Sequence, residues 1–206
     1  MATSIFSISD FKTAIGKPVR PNLFKAILRG WDKSASDEND LLGVYLTRNV
    51  VADIDEFSFR CEKAEFPGRT IATSEDTGGG GPTLKLPYDV TYNDIQLSII
   101  CSADMKERLF FESWMDSIVA PAGNKSGNGA GGLVSYFEHY ARGISLQVQQ
   151  LNEAGNVIIT YHMHDIYPTA LSAMNATWEE VNSYQRFGVT LFYRRYTYAK
   201  QTITIS

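Results

Sequence analysis

The residues best suited to chemistry are the two histidines of "YHMHD", His162 and His164, followed by Asp165. In a strand, side chains two apart project to the same side, so this pair could share an ion. A third ligand would have to come from elsewhere, and His139 is the only other histidine. Three imidazoles and a carboxylate would suffice for zinc, but H-x-H is also a common occupant of polar strand faces. Other catalytic patterns are missing from the sequence. It contains no G-x-S-x-G elbow and no H-E-x-x-H helix. The close carboxylates Glu179–Glu180 and Asp53/Asp55 are neighbours in sequence, which does not define an acid–base pair across a cleft. No catalytic, cofactor-binding or metal residue is therefore assigned. A metal-binding enzyme built on His162 and His164 stands only as the alternative from a different functional class.

Three further stretches invite ligands. In "NKSGNGAGG", Gly127, Gly129 and Gly132 stand at G-x-G-x-x-G spacing. A dinucleotide fingerprint needs a strand before it and a helix after it, because the helix N-terminus holds the pyrophosphate. Here a helical pattern precedes and "GLVSYFEHYARG" follows, alternating like a strand, so the stretch reads as a connector. Gly78–Gly81 lack the Lys and Ser/Thr of a phosphate loop and read as a mobile loop tip. "FYRRYTYAK" interleaves Arg194, Arg195 and Lys200 with aromatics, the composition of a single-strand nucleic-acid groove. The whole-chain charge of −4 opposes a general nucleic-acid binder. Cys61 and Cys101 are too few for a disulfide framework or a zinc site and read as reduced, buried thiols.

These residues need elements to hold them. A chain of 206 residues with 44% apolar and 20% charged content fits one globular domain with an ordinary core. The N-terminus is not a secretory signal and no apolar run is long enough to span a bilayer, so no membrane anchor is expected. "SISDFKTAIGKP" reads as a short helix. "RPNLFKAILRG" reads as a strand with Phe24, Ala26 and Leu28 on one face. "EFSFRCEKAEFPG" reads as a strand ending at a Pro67-Gly68 turn, and "DIQLSIIC" as another. "ADMKERLFFESWMDSIVAP" is the main helix, with Asp104 and Glu107 as a capping box and Phe110, Trp114 and Ile118 as its apolar stripe. "ISLQVQQL" and "VIITYHMHDI" flank "NEAG" as a hairpin, with Ser145, Gln147 and Gln149 opposite Ile144, Leu146 and Val148. The last strand puts Phe187, Val189, Leu191 and Tyr193 on one face. Strand follows strand without intervening helices, so the pairing should be largely antiparallel. The expected organisation is a single domain over 1–206, with flexible or extended loops at 32–56, 74–83 and 121–132.

The order of these pieces resembles the tail tube protein family of contractile-tailed bacteriophages. The resemblance rests on Phe66, Pro67 and Gly68 closing a strand, on the strand-to-helix step reaching Trp114, on the Tyr167-Pro168 step and on the closing "GVTLFYRRY". It runs over most of residues 20–198. It implies a mainly β (α+β) fold, an antiparallel β-sandwich or half-barrel with one packed α-helix. Six copies would form a ring with a continuous inner β-barrel. Stacked rings would make the inner tube of the tail, through which DNA is ejected without specific binding. The implied partners are further copies of the chain and tail sheath and baseplate proteins. The implied place is the virion, after synthesis in the bacterial host cytoplasm. A baseplate tube initiator of the same fold is the nearest alternative.

Two physical expectations accompany the resemblance. Strands with useful residues on both faces carry more apolar surface than one sheet can bury, which calls for another chain. The channel lining is expected to be polar and neutral or weakly acidic, because a basic lumen would retain phosphates. Ser145, Gln147 and Gln149 are the candidate lining on polarity alone.

Overall fold

The computed structural model describes residue 8 and residues 18–30, 60–76, 83–119, 134–178 and 183–200. The expected N-terminal helix, the 32–56 and 121–132 loops and the glycine runs at 78–81 and 127–132 lie outside the described residues. The elements are β1 (Phe24–Arg29), β2 (Cys61–Ala64), β3 (Arg69–Asp76), β4 (Leu84–Tyr92), β5 (Ile95–Ile100), α1 (Lys106–Ile118), α2 (Phe137–Tyr140), β6 (Ser145–Leu151), β7 (Val157–Leu171) and β8 (Arg186–Lys200). Six strands form one sheet in the order β1-β6-β7-β8-β5-β2, and every pairing is antiparallel. The sheet curls into a nearly closed barrel. β3 and β4 form a separate two-stranded ribbon.

The curl comes from β7 and β8, each 15 residues long. Met163 and Ile166 are both buried, as is Tyr193, with Tyr196 packed beside it. Strict alternation cannot put Met163 and Ile166 on one side. Asp165 takes up the difference with a left-handed φ of 55°, and the local break turns the sheet. On one side of this kink, residues 157–164 and 195–200 belong to a four-stranded half with β1 and β6. On the other side, 166–171 and 186–193 belong to a half with β5 and β2. Pro168 sits where β6 has already ended, so its missing N–H costs β7 no ladder bond on that edge.

The core lies inside the curl. Ala26, Leu28, Leu146, Val148 and Met163 come from the first half, and Ile95, Leu97, Ile99, Phe187, Val189, Leu191 and Tyr193 from the second. Helix α1 plugs the opening with Phe110, Phe111 and Trp114. Trp114 is fully buried, and its indole N–H donates to the Tyr140 carbonyl at 2.9 Å. Gln150 is buried too, and its amide donates to the carbonyls of Arg20 and Leu23 at 2.9 and 2.8 Å. That satisfied amide fixes the chain entering β1.

Four local expectations change. The capping box does not form: Met105 is the N-cap residue with φ 52° and no side-chain cap bond. Glu107 instead accepts from the amide and hydroxyl of Ser102, both at 2.9 Å, and pairs with Arg60 at 3.1 Å. Desolvation raises the Glu107 pKa, but these bonds and the Arg60 charge outweigh it and hold the carboxyl below its ordinary value. Asp104 meets Lys106. The strand expected from residue 56 is described only from Cys61, with Arg60 in helical conformation; 56–59 lie outside the described residues. In "GLVSYFEHYARG" the strand-like alternation is overridden: among its described residues only Val134 bridges, to Val119, and Phe137–Tyr140 coil into a helical turn. Residues 74–76, expected in a loop, are the end of β3.

Candidate functional site

Residues directly opposite one another in an antiparallel pair project to the same side, so register assigns the outer face of the four-stranded half. One row reads Arg29, Ser145, His164 and Arg195; the next reads Ile27, Gln147, His162 and Thr197; a third reads Lys25, Gln149, Thr160 and Ala199. Ser145, Gln147 and Gln149 therefore face away from the core, while Leu146 and Val148 fill it, as the alternation in the sequence requires. Side-chain contacts agree with the register. The His162 and His164 rings stack at 6.5 Å, and His164 Nε2 is hydrogen-bonded to Thr197 Oγ1 at 3.1 Å. Ile27 is 6% exposed although it lies outside the core cluster.

The electrostatics of the face are one-sided. Lys25, Arg29 and Arg195 carry positive charge, and these rows contain no carboxylate among the described residues. Asp165 stands at the kink beside them and meets Arg194 at 3.8 Å. The His162 pKa lies below its ordinary value, first through desolvation, then through His164 and Arg29. No group of three or more His, Cys, Asp or Glu able to hold a metal ion occurs among the described residues, and His139 is not brought to the pair. His139 instead packs against Tyr136 on α2. Burial pushes the Cys61 thiol up to about 12, and Cys101 is raised by the same cause with Glu107 adding to it. Neither is poised as a nucleophile.

The edges of this four-stranded half are open among the described residues. β1 pairs only with β6. β8 pairs with β5 only from Arg186 to Leu191, so its stretch from 195 to 200 has β7 on one side and no strand on the other.

A second surface was not legible as such in the sequence. The β3–β4 ribbon is exposed almost throughout, and it carries Ile71, Leu84, Leu86, Tyr88 and Val90 in solvent. Leu84 is 59% and Tyr88 72% exposed. A two-stranded ribbon without cover is marginally stable in water, so side chains of this kind along it mark a contact surface. The signal was present as Leu84, Leu86 and Val90 on one strand and Ile71 on the other, hidden by the glycine run between them.

The motif residues serve the root of this ribbon and the core. Phe66 packs edge-on against Tyr161 at 5.4 Å. Pro67 and Gly68 carry the chain from the barrel sheet into the ribbon, and the Tyr193 hydroxyl donates to the Gly68 carbonyl at 3.1 Å. Tyr92, at the end of β4, meets Tyr193 and Tyr196 at 5.8 and 5.5 Å. Tyr167 packs on Tyr140 and Phe192, while Pro168 is buried.

The family model described as phage tail tube protein matches residues 20–199. No curated protein matches the chain. Several solved structures share the fold at low identity. A chain of the anti-feeding prophage baseplate is 13% identical with a TM-score of 0.59, over 90% of this chain and 97% of that one. A chain of the sheath–tube complex of an extracellular contractile injection system in the extended state is 16% identical, TM-score 0.58, over 95% and 100%. A chain of the sheath/tube terminator of such a system is 14% identical, TM-score 0.58, over 90% and 99%.

Proposed function

This chain belongs to the phage tail tube protein family and is a structural protein of the tail; from that premise we propose that six copies close into a ring through the open edges of the four-stranded half. One observation carries the reading. The order β1-β6-β7-β8 alternates strictly, so β1 and β8 run in opposite senses. Joining β1 of one copy to residues 195–200 of β8 in the next continues the alternation without a break. The contact is heterologous, and such contacts close into rings when the rotation per copy allows. Closure removes both free edges, which otherwise template uncontrolled pairing.

In the ring, the barrel core and α1 face outward, and the row of Ser145, Gln147 and Gln149 faces the channel. The β3–β4 ribbon is the arm that reaches a neighbouring copy, where its apolar side chains are covered. Stacked rings form the inner tube of a contractile tail, with sheath outside, a baseplate at one end and DNA passing through the lumen. The chain acts as a tube subunit rather than an initiator and catalyses nothing. It is made in the host cytoplasm before assembly into the virion.

Electron micrographs and mass measurement of the purified chain at high concentration test this. Rings or tubes are the expected result. Disulfide capture between Lys25→Cys and Thr197→Cys, placed on the two edges, is expected to link copies into closed rings. A stable monomer that forms neither rings nor linked species, even with assembled tube ends as template, overturns the proposal.

A further inference from the structure

The outer face of the four-stranded half departs from the neutral or weakly acidic lining that free passage of DNA calls for. Lys25 and Arg29 lie on β1 and Arg195 on β8, at the two sides of the face, with His164 between Arg29 and Arg195 in one row. Four strands set that row about 14 Å across. Arg29 and Arg195 make no ion pair among the described residues, and Asp165, the carboxylate next to His164 in β7, is engaged with Arg194 and the Gly143 amide. An acidic chain has placed Arg29 and Arg195 on one sheet face with no ion pair among the described residues.

We propose that this face contacts the phosphate backbone of duplex DNA, so that the channel retains its occupant electrostatically instead of merely enclosing it. The inference rests on the channel reading above. Charge complementarity selects a polyanion. No Phe, Tyr or Trp stands in these rows among the described residues, which favours a duplex over a single strand: Tyr196 and Tyr198 turn to the other side of β8, where both pack on Tyr161. The Ser and Gln side chains between the cations are short or uncharged and offer hydrogen bonds without base selection. Contact of this kind is sequence-independent and weakens as salt rises, through release of counterions.

The test uses the full chain, kept dispersed, with a fluorescent duplex of arbitrary sequence at low salt. Binding that falls steeply with added salt is expected. Arg29→Glu with Arg195→Glu is expected to lower the affinity by about tenfold or more. Arg29→Gln with Arg195→Gln serves where the double charge reversal does not fold, and is expected to weaken binding and flatten the salt slope. No binding at low salt overturns the proposal, as does equal binding by folded variants. Capture of polyglutamate but not of DNA also overturns it and identifies an acidic polypeptide as the occupant. Micrographs of the same chain, concentrated and supplied with assembled tube ends, separate the two readings: DNA binding by the dispersed chain without rings in the concentrated sample sinks the tube assembly and leaves the face, whereas rings without DNA binding do the reverse.

Discussion

Gly30 shows how much one residue can decide. It ends β1 with φ 114°, and a Cβ built there would meet the Gly143 carbonyl oxygen at 2.3 Å. Two backbones touch where β1 and β6 begin to part, and only glycine fits. Gly30→Ala is expected to cost at least about 2 kcal/mol in chemical unfolding, because strain and overlap act together. Adding a methyl at Gly143, where nothing lies within 4 Å, meets no such overlap. His162 sets a pH dependence at the same scale. Its folded pKa is depressed below the usual 6.5. The unfolded chain therefore takes up the proton first, so full stability holds above that value and is lost as pH falls through the folded pKa. His162→Gln is expected to flatten the drop in melting temperature on the acid side of neutrality. The groups around His162 on this face are Arg29 from β1, Gln147 from β6, His164 from β7 and Thr197 from β8. An unchanged acid-side profile would show that the drop comes from other groups.

At the scale of elements, the ribbon is held by its root. Tyr193 is 1% exposed and its hydroxyl, with the pKa pushed up to about 12 by burial and neighbouring Tyr and Asp groups, stays protonated and donates to Gly68. Tyr193→Phe is expected to cost about 0.5–1.5 kcal/mol of global stability. Its sharper signature is faster hydrogen exchange in β3 and β4 relative to β7, since the bond ties the link rather than the barrel. How legible these elements were differs for physical reasons. β6 and the first half of β8 read correctly because one face of each is buried more deeply than the other, which writes a period of two into the residues, and β1 keeps the same alternation in Ala26 and Leu28 on the core side. The ribbon did not read because neither of its faces is buried within the chain. The α1 cap was misread because Ser102, not Asp104, reaches the first turn, and Glu107 was already engaged with Ser102 and Arg60.

For the whole molecule, the relevant quantity is surface that no part of the chain covers. Leu84 and Leu86 are exposed in the single copy. Leu84→Glu with Leu86→Glu is therefore expected to leave the monomer's melting temperature within about 0.5 kcal/mol equivalent, while sharply reducing tube formation by light scattering and micrographs. Loss of monomer stability instead would mean that the ribbon packs within its own chain. The two surfaces are separable in principle. Edge substitutions on β1 or β8 should stop ring closure, and ribbon substitutions should act on contacts between completed units.

The residue types alone determined that the chain is mainly β, that Ser145, Gln147 and Gln149 oppose a core of Ile144, Leu146 and Val148, and that the family is that of the tail tube. Burial on one side of a strand leaves a local pattern, and local patterns survive in a linear text. Tertiary structure alone decided that Arg29, His164 and Arg195 stand in one row, because they come from three strands whose register no single segment encodes. It also decided that the aromatics beside Arg195 turn away from it, and that β7 and β8 bend at Asp165 to divide one sheet into two halves. Register, kinks and open edges are relations between distant segments, fixed only when the barrel closes on its core.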